Sequence, residues 1–204
     1  MKTAISSWLL IRLLFQPNAV FDELADTQPE PHIIFFRYVV WLSVIPPVLA
    51  YIGASNFGWR LGAAEPLFVP SGDLVIVSIV YFAVLLFGFV STAKVAQWMA
   101  ATYGARSALG VHFALVTIVA APLIAGSVFH LFPHVFLNVI VLIPTLIWSM
   151  YLLYKGLPIV LQISPERGML MASALIGYLL VAAVSLLGLT VALWGRGIGP
   201  SIGI

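Results

Sequence analysis

The chain has 204 residues, 62% of them hydrophobic and 8% charged, against about 25% charged in a typical water-soluble domain, and its mean hydropathy of +1.12 excludes a folded soluble protein. The formal net charge is only +2, so where the few charges fall matters more than their sum, and nothing points to a nucleic-acid partner. Cysteine is absent, which removes disulfides, thiolate metal sites and cysteine catalysis.

The start, MKTAISSWLLIRLLFQP, has the basic residue and apolar run of a signal peptide. Arg12 interrupts that run, no small-residue cleavage site follows and Pro17 leads into acidic sequence, so the segment is expected to be retained. Over Thr3–Phe15, Ala4, Trp8, Ile11 and Phe15 share one side of a helix, with Lys2, Arg12 and Gln16 elsewhere, a pattern that lies along a membrane surface. Ile5, Leu9 and Leu13 on the other side equally suit packing on a bundle, and both readings stand. PNAVFDELAD then places Pro17 in a first helical turn and Asp22, Glu23 and Asp26 on a solvated face, predicting a short acidic surface helix. TQPEP at 27–31 is a stiff break. Residues 1–31 are therefore expected to form a cytoplasmic interfacial segment, and 32–204 the membrane domain.

A bilayer core takes about 20 apolar residues of helix, and five stretches meet that length: His32–Ser55, Leu74–Ala93, Ser107–Phe129, Val135–Tyr154 and Met169–Trp194. The expected fold is all-α, a polytopic membrane helical bundle of five transmembrane helices. Asn56 to Asp73, rich in Gly and Pro, reads as turns, while Tyr103–Arg106 and His130–His134 join antiparallel hairpins. Gly156 and Pro158 are expected to stop the fourth span, and Ser164, Pro165 and Glu166 to start the fifth as cap, first helical residue and dipole partner. Lys and Arg are held on the cytoplasmic side. With the N-terminus inside, Lys2, Arg12, Arg37, Lys94, Arg106, Lys155 and Arg167 fall there, and only Arg60 and Arg196 outside, which predicts a cytoplasmic N-terminus and a periplasmic C-terminus.

Motifs for hydrolysis, phosphate binding or metalloprotease chemistry are absent, and no carboxylate falls within the five stretches, which argues against an ion-coupled transporter. No catalytic residue, cofactor or metal is assigned. Arg37, Lys94, Arg106, Lys155 and Arg167 are candidates for contact with anionic lipid headgroups or a partner, the alternative for such long side chains being simple snorkelling. His112 is either an interhelical hydrogen-bonding group or the lining of a pathway. His130 and His134 are spaced as two ligands on one helical face, but Pro133 between them favours an interfacial loop. Pro46, Pro47, Pro122 and Pro144 kink three spans, which either frame a cavity or pack as curved helices. Small residues predict close helix contact, within the chain or with a second copy, at Ala121 and Ala125 in the third span and at Ser173, Gly177 and Gly188, with Val184, in the fifth.

The PNAVFDEL segment, five spans, Ile45–Gly62 (IPPVLAYIGASNFGWRLG), Ala121–Pro133, Tyr151–Gly168 (YLLYKGLPIVLQISPERG) and the ending LWGRG together resemble the bacterial inner-membrane branch of the Yip (Ypt-interacting protein) domain family. That resemblance implies a multi-pass protein of the bacterial inner membrane with no established activity. Eukaryotic members are associated with Rab-type GTPases and carry a longer cytosolic N-terminal region with a Tyr-Gly-Pro segment, which this chain lacks, so no Rab contact is carried over. The expected function is non-enzymatic, by protein interaction or membrane and lipid organisation. Anionic lipids, an unidentified membrane or cytoplasmic protein, or a second copy are its partners. The alternative is a small-solute or ion channel or transporter using a cavity framed by the proline-kinked helices, with His112 lining it.

Overall fold

The computed structural model describes residues 9–62, 65–105 and 107–196. Within them the chain is helical: α1 (Leu9–Phe15) and α2 (Pro17–Ala25), then five apolar helices long enough to cross a membrane, α3 (Pro31–Phe57), α4 (Ser71–Thr102), α5 (Leu109–Leu131), α6 (Val135–Leu161) and α7 (Pro165–Trp194). Two of them run further than composition predicts. α4 passes Ala93 and reaches Thr102 because Ala93, Ala96 and Ala100 continue a buried stripe while Lys94 and Trp98 face outward. At 1.5 Å per residue its 32 residues span about 48 Å, well beyond a hydrocarbon core of about 30 Å.

α6 likewise runs through Gly156 and Pro158, which were expected to end it, and stops at Gln162, whose φ of 52° is left-handed. Pro158 removes one backbone donor, but its ring seats against Gly168, where a Cβ would lie only 2.7 Å from the Pro158 Cβ. That contact fixes the start of α7 on the end of α6. The prolines inside α3 and α5 are carried without ending their helices, and α3 also contains one π-helical turn over Phe35–Val39.

The centre of the bundle is α5, whose residues from Gly110 to Leu115 are all buried, followed by Thr117, Ile118, Ala121 and Pro122. A helix apolar on every side is stable only when neighbours surround it, and α3, α4 and α6 supply that surround. The core lies toward the end of the bundle that carries α1 and α2, hereafter the proximal end. There α4 buries Phe89, Thr92, Ala93, Ala96 and Ala100, α6 buries one face that includes Leu152, Leu153, Leu157 and Leu161, and α7 buries Gly168, Met171, Ala172 and Leu175. Toward the distal end Ile79, Ile143 and Val184 are exposed, which costs nothing where the surrounding medium is hydrocarbon.

The N-terminal helices belong to the same core. Leu13, Val20, Phe21 and Leu24 are at most 1% exposed, so α2 and the Leu13 side of α1 pack on the bundle, while Ile11, Leu14 and Phe15 of α1 are exposed, and α2 is a docked helix with an acidic outer edge. Lys2, Ala4 and Trp8 lie outside the described residues. Phe21 lies over α6, where Gly156 leaves room for its ring. Arg12 joins α1 to α2 by an ion pair with Glu23 at 2.9 Å. Both side chains are about one-third exposed, so Arg12→Ala is expected to lower stability by no more than about 1 kcal/mol, a small shift in a thermal unfolding scan.

At the distal end the α3–α4 connection is pinned. Trp59 and Leu67 exchange two backbone hydrogen bonds of 2.8 Å, and Arg60 bonds through its backbone to Pro133 and Val135 at 2.9 and 3.0 Å.

Candidate functional site

Helix order alone sends the predicted basic residues toward one end. The start of α3, the end of α4, the end of α6 and the start of α7 all lie toward the proximal end, so Arg37, Lys94, Lys155 and Arg167 fall in the proximal part of the bundle. Arg106 lies outside the described residues. Arg37 sits on the π-helical turn, exposed, with its guanidinium 5.8 Å from the Tyr38 ring. Lys94 lies one turn from Trp98, which is 74% exposed. Lys155 donates to the Tyr151 hydroxyl at 2.8 Å and stands 5.2 Å from that ring. Arg167 reaches the α4–α5 loop, its Nη1 2.7 Å from where a Gly104 Cβ would be. Gly104, at φ +87°, both makes the turn and leaves the guanidinium space.

Among the described residues none of these four cations is paired with a carboxylate. Arg12 pairs with Glu23 and His32 with Glu30. Four such cations with Trp98 and Tyr151 beside two of them form a rim suited to the headgroup level of a membrane. Ser173 strengthens the rim from within: its hydroxyl donates to Met169 O at 3.0 Å and accepts from Tyr154 at 2.9 Å, bonding α6 to α7.

The residues considered for a pathway are not brought together. His112 is fully buried, with Nε2 2.8 Å from Ser107 Oγ, and holds the start of α5 to its preceding loop. A groove of about 370 Å³ lies between α3 and α4, lined by Val44, Pro47 and Tyr51 on one side and Val75, Ile79 and Phe82 on the other. Pro47 is thus at the groove, Pro46 and Pro122 are in the core, and Pro144 is exposed on α6.

His130 and His134 sit at the distal end. Asn138 Nδ2 donates to Phe132 O at 2.9 Å and His134 O at 3.0 Å, so Asn138 Oδ1 accepts from His130 Nδ1 at 2.7 Å. His130 Nε2 then faces the Tyr81 hydroxyl at 3.5 Å, tying α4 to the α5–α6 turn. His134 instead lies beside Phe136, ring centroids 6.1 Å apart.

Small residues do mediate close approach, at other positions than most of those predicted. Ala121 is buried, but Ala125 is exposed, and at Gly177 and Gly188 an added methyl group would find nothing within 4 Å. The tight crossings are Gly53 against the His130 and Leu131 backbone, Gly110 against Pro29, Gly126 against Thr145, Gly156 against Phe21 and Gly168 against Pro158. Gly53, Gly126, Gly156 and Gly168 fall in three of the stretches that carry the family resemblance, the one signal in the sequence that marks them.

These positions can be set beside known proteins. The Yip1 domain model matches residues 11–186, from within α1 into α7. Inner membrane protein YohC of Escherichia coli strain K12 is 31% identical over 163 residues, covering 80% of this chain and 84% of its own length. YohC of Escherichia coli O6:H1 strain CFT073 gives the same identity and coverage. No solved structure matches. Since the domain match takes in the docked N-terminal helices together with the proximal rim and the central helix, the chain belongs to the Yip1 domain family.

Proposed function

We propose that this multi-pass inner-membrane protein is non-enzymatic and organises its surroundings through the proximal rim, which faces the cytoplasm and holds anionic lipid headgroups. The observation that carries this reading is the set of four cations, Arg37, Lys94, Lys155 and Arg167, on the proximal side with no carboxylate paired to them among the described residues. The excess of Lys and Arg on that side supports a cytoplasmic N-terminus. Arg106, in the loop that Arg167 reaches, adds a fifth charge in sequence.

His112 is enclosed in the bundle, which further supports the binding reading over a pathway lined by it. A cation near a negatively charged leaflet contributes about 1 kcal/mol, and a tenfold change in affinity corresponds to about 1.4 kcal/mol. Replacing Arg37, Lys94, Lys155 and Arg167 by Gln is therefore expected to weaken retention of phosphatidylglycerol by about two to three orders of magnitude, read by native mass spectrometry of protein purified from membranes. Equal retention by the variant would remove the proposal. Crosslinking in intact cells before purification then identifies a protein partner at the same rim, or a second copy.

A further inference from the structure

A hydroxyl within a membrane helix ordinarily donates to a carbonyl of its own preceding turn. Ser91, Thr117, Ser127, Thr145, Ser173 and Thr190 all do so, at 2.6 to 3.2 Å. Two buried hydroxyls, Ser43 on α3 and Ser149 on α6, have no hydrogen-bond partner for their Oγ among the described residues, and Ser43 is 1% exposed. The following turn is also defective, because Pro46 and Pro47 lack the amide hydrogens that an α-helix would offer to the Leu42 and Ser43 carbonyls. Two adjacent residues in the middle of α3 thus present one unpartnered hydroxyl and two carbonyls deprived of their helical donors, and Ser43, Pro46 and Pro47 are all buried.

We propose that the Leu42–Ser43 turn is a buried hydration site, in which water donates to the Leu42 and Ser43 carbonyls and accepts from the Ser43 hydroxyl. A buried water needs two to four polar partners, and backbone groups released by proline within a bilayer are satisfied by hydroxyls and ordered water. Every oxygen at the turn is neutral, and no carboxylate lies in the five spans' apolar stretches, so the turn suits water and not a bound proton. Depth agrees with an interior location: Gly53 touches His130, and ten residues back along the parallel helices α3 and α5, about 15 Å at 1.5 Å per residue, Ser43 stands near the level of Pro122. Pro122 withholds a donor from the Ile118 carbonyl at that same depth.

Synchrotron hydroxyl-radical footprinting of the full chain in lipid nanodiscs tests the site, since radicals formed from a bound water oxidise the side chains beside it. Leu42, Pro46 and Pro47 are expected to be modified several-fold faster than Leu152 and Leu157, which are 0% exposed. Ser43→Ala is expected to bring Pro46 and Pro47 down to the rate of those two leucines. The double variant Pro46→Ala/Pro47→Ala, which returns both amide donors, is expected to do the same for Leu42. Modification in the unaltered protein no faster than at Leu152 would overturn the proposal without any variant having to fold. Equal modification of Val75 and Ile79 across the α3–α4 groove would overturn it too, by showing bulk water in place of a defined site.

Discussion

Gly110→Val is expected to destabilise the bundle by at least about 3 kcal/mol, the upper end of the usual cost of overpacking, and to lower the detergent concentration at which the protein unfolds. A Cβ at this position would fall on the Pro29 carbonyl oxygen, with the Pro29 carbonyl carbon 2.7 Å and the Pro31 nitrogen 3.1 Å away. All three are backbone atoms, which no rotamer change can move. Either the first turn of α5 shifts or the segment between α2 and α3 does, and that segment positions both the docked helix and the first span. Gly53→Ala is expected to act in the same way at the distal end, where the new methyl would meet the His130 carbonyl oxygen and lie 3.0 Å from the Leu131 carbonyl. Gly177→Ala and Gly188→Ala are the controls. With nothing within 4 Å, each is expected to be neutral or to stabilise by up to about 1 kcal/mol through helix propensity, and a large loss at either would report contact with a second copy.

That contrast marks where the sequence was legible. Five spans could be read because an apolar run of bilayer length has few other uses, and helix order then sends charges far apart in sequence toward the same end. Helix ends were less visible. Gly156 and Pro158 carry the chemistry of a stop, and only their distant neighbours Phe21 and Gly168 explain why α6 continues. The small residues of α7 form the more regular pattern, yet the glycines that are packed tightly are single positions whose partners are non-local. A hydropathy pattern records that a surface is apolar, and in a membrane both the core and the lipid satisfy it. α2 posed the same problem on a smaller scale: Val20, Phe21 and Leu24 mark one apolar edge of an otherwise acidic helix, but nothing in nine residues says whether lipid or protein covers it.

Because the chain has no cysteine, a single Leu24→Cys substitution makes α2 docking directly measurable as protection from a maleimide. Leu24 is 0% exposed, so the thiol is expected to react slowly while α2 is in place. Adding Phe21→Ala removes a fully buried aromatic side chain, a change that costs about 3–5 kcal/mol in a packed core. Nine residues of helix have little else to hold them, so labelling is expected to accelerate strongly while the five spans stay folded. Gly156→Leu should release α2 from the opposite side, since even a Cβ there lies 2.7 Å from the Phe21 ring. The two changes are complementary in volume, and residues in direct contact couple by about 0.5–3 kcal/mol. Phe21→Ala combined with Gly156→Leu is therefore expected to label more slowly than either alone. Independent, additive acceleration would mean that the ring and the glycine are not the contact that holds α2. Restored protection would make the N-terminal segment a structural part of the membrane domain, with its acidic edge and the basic rim fixed relative to each other at one face.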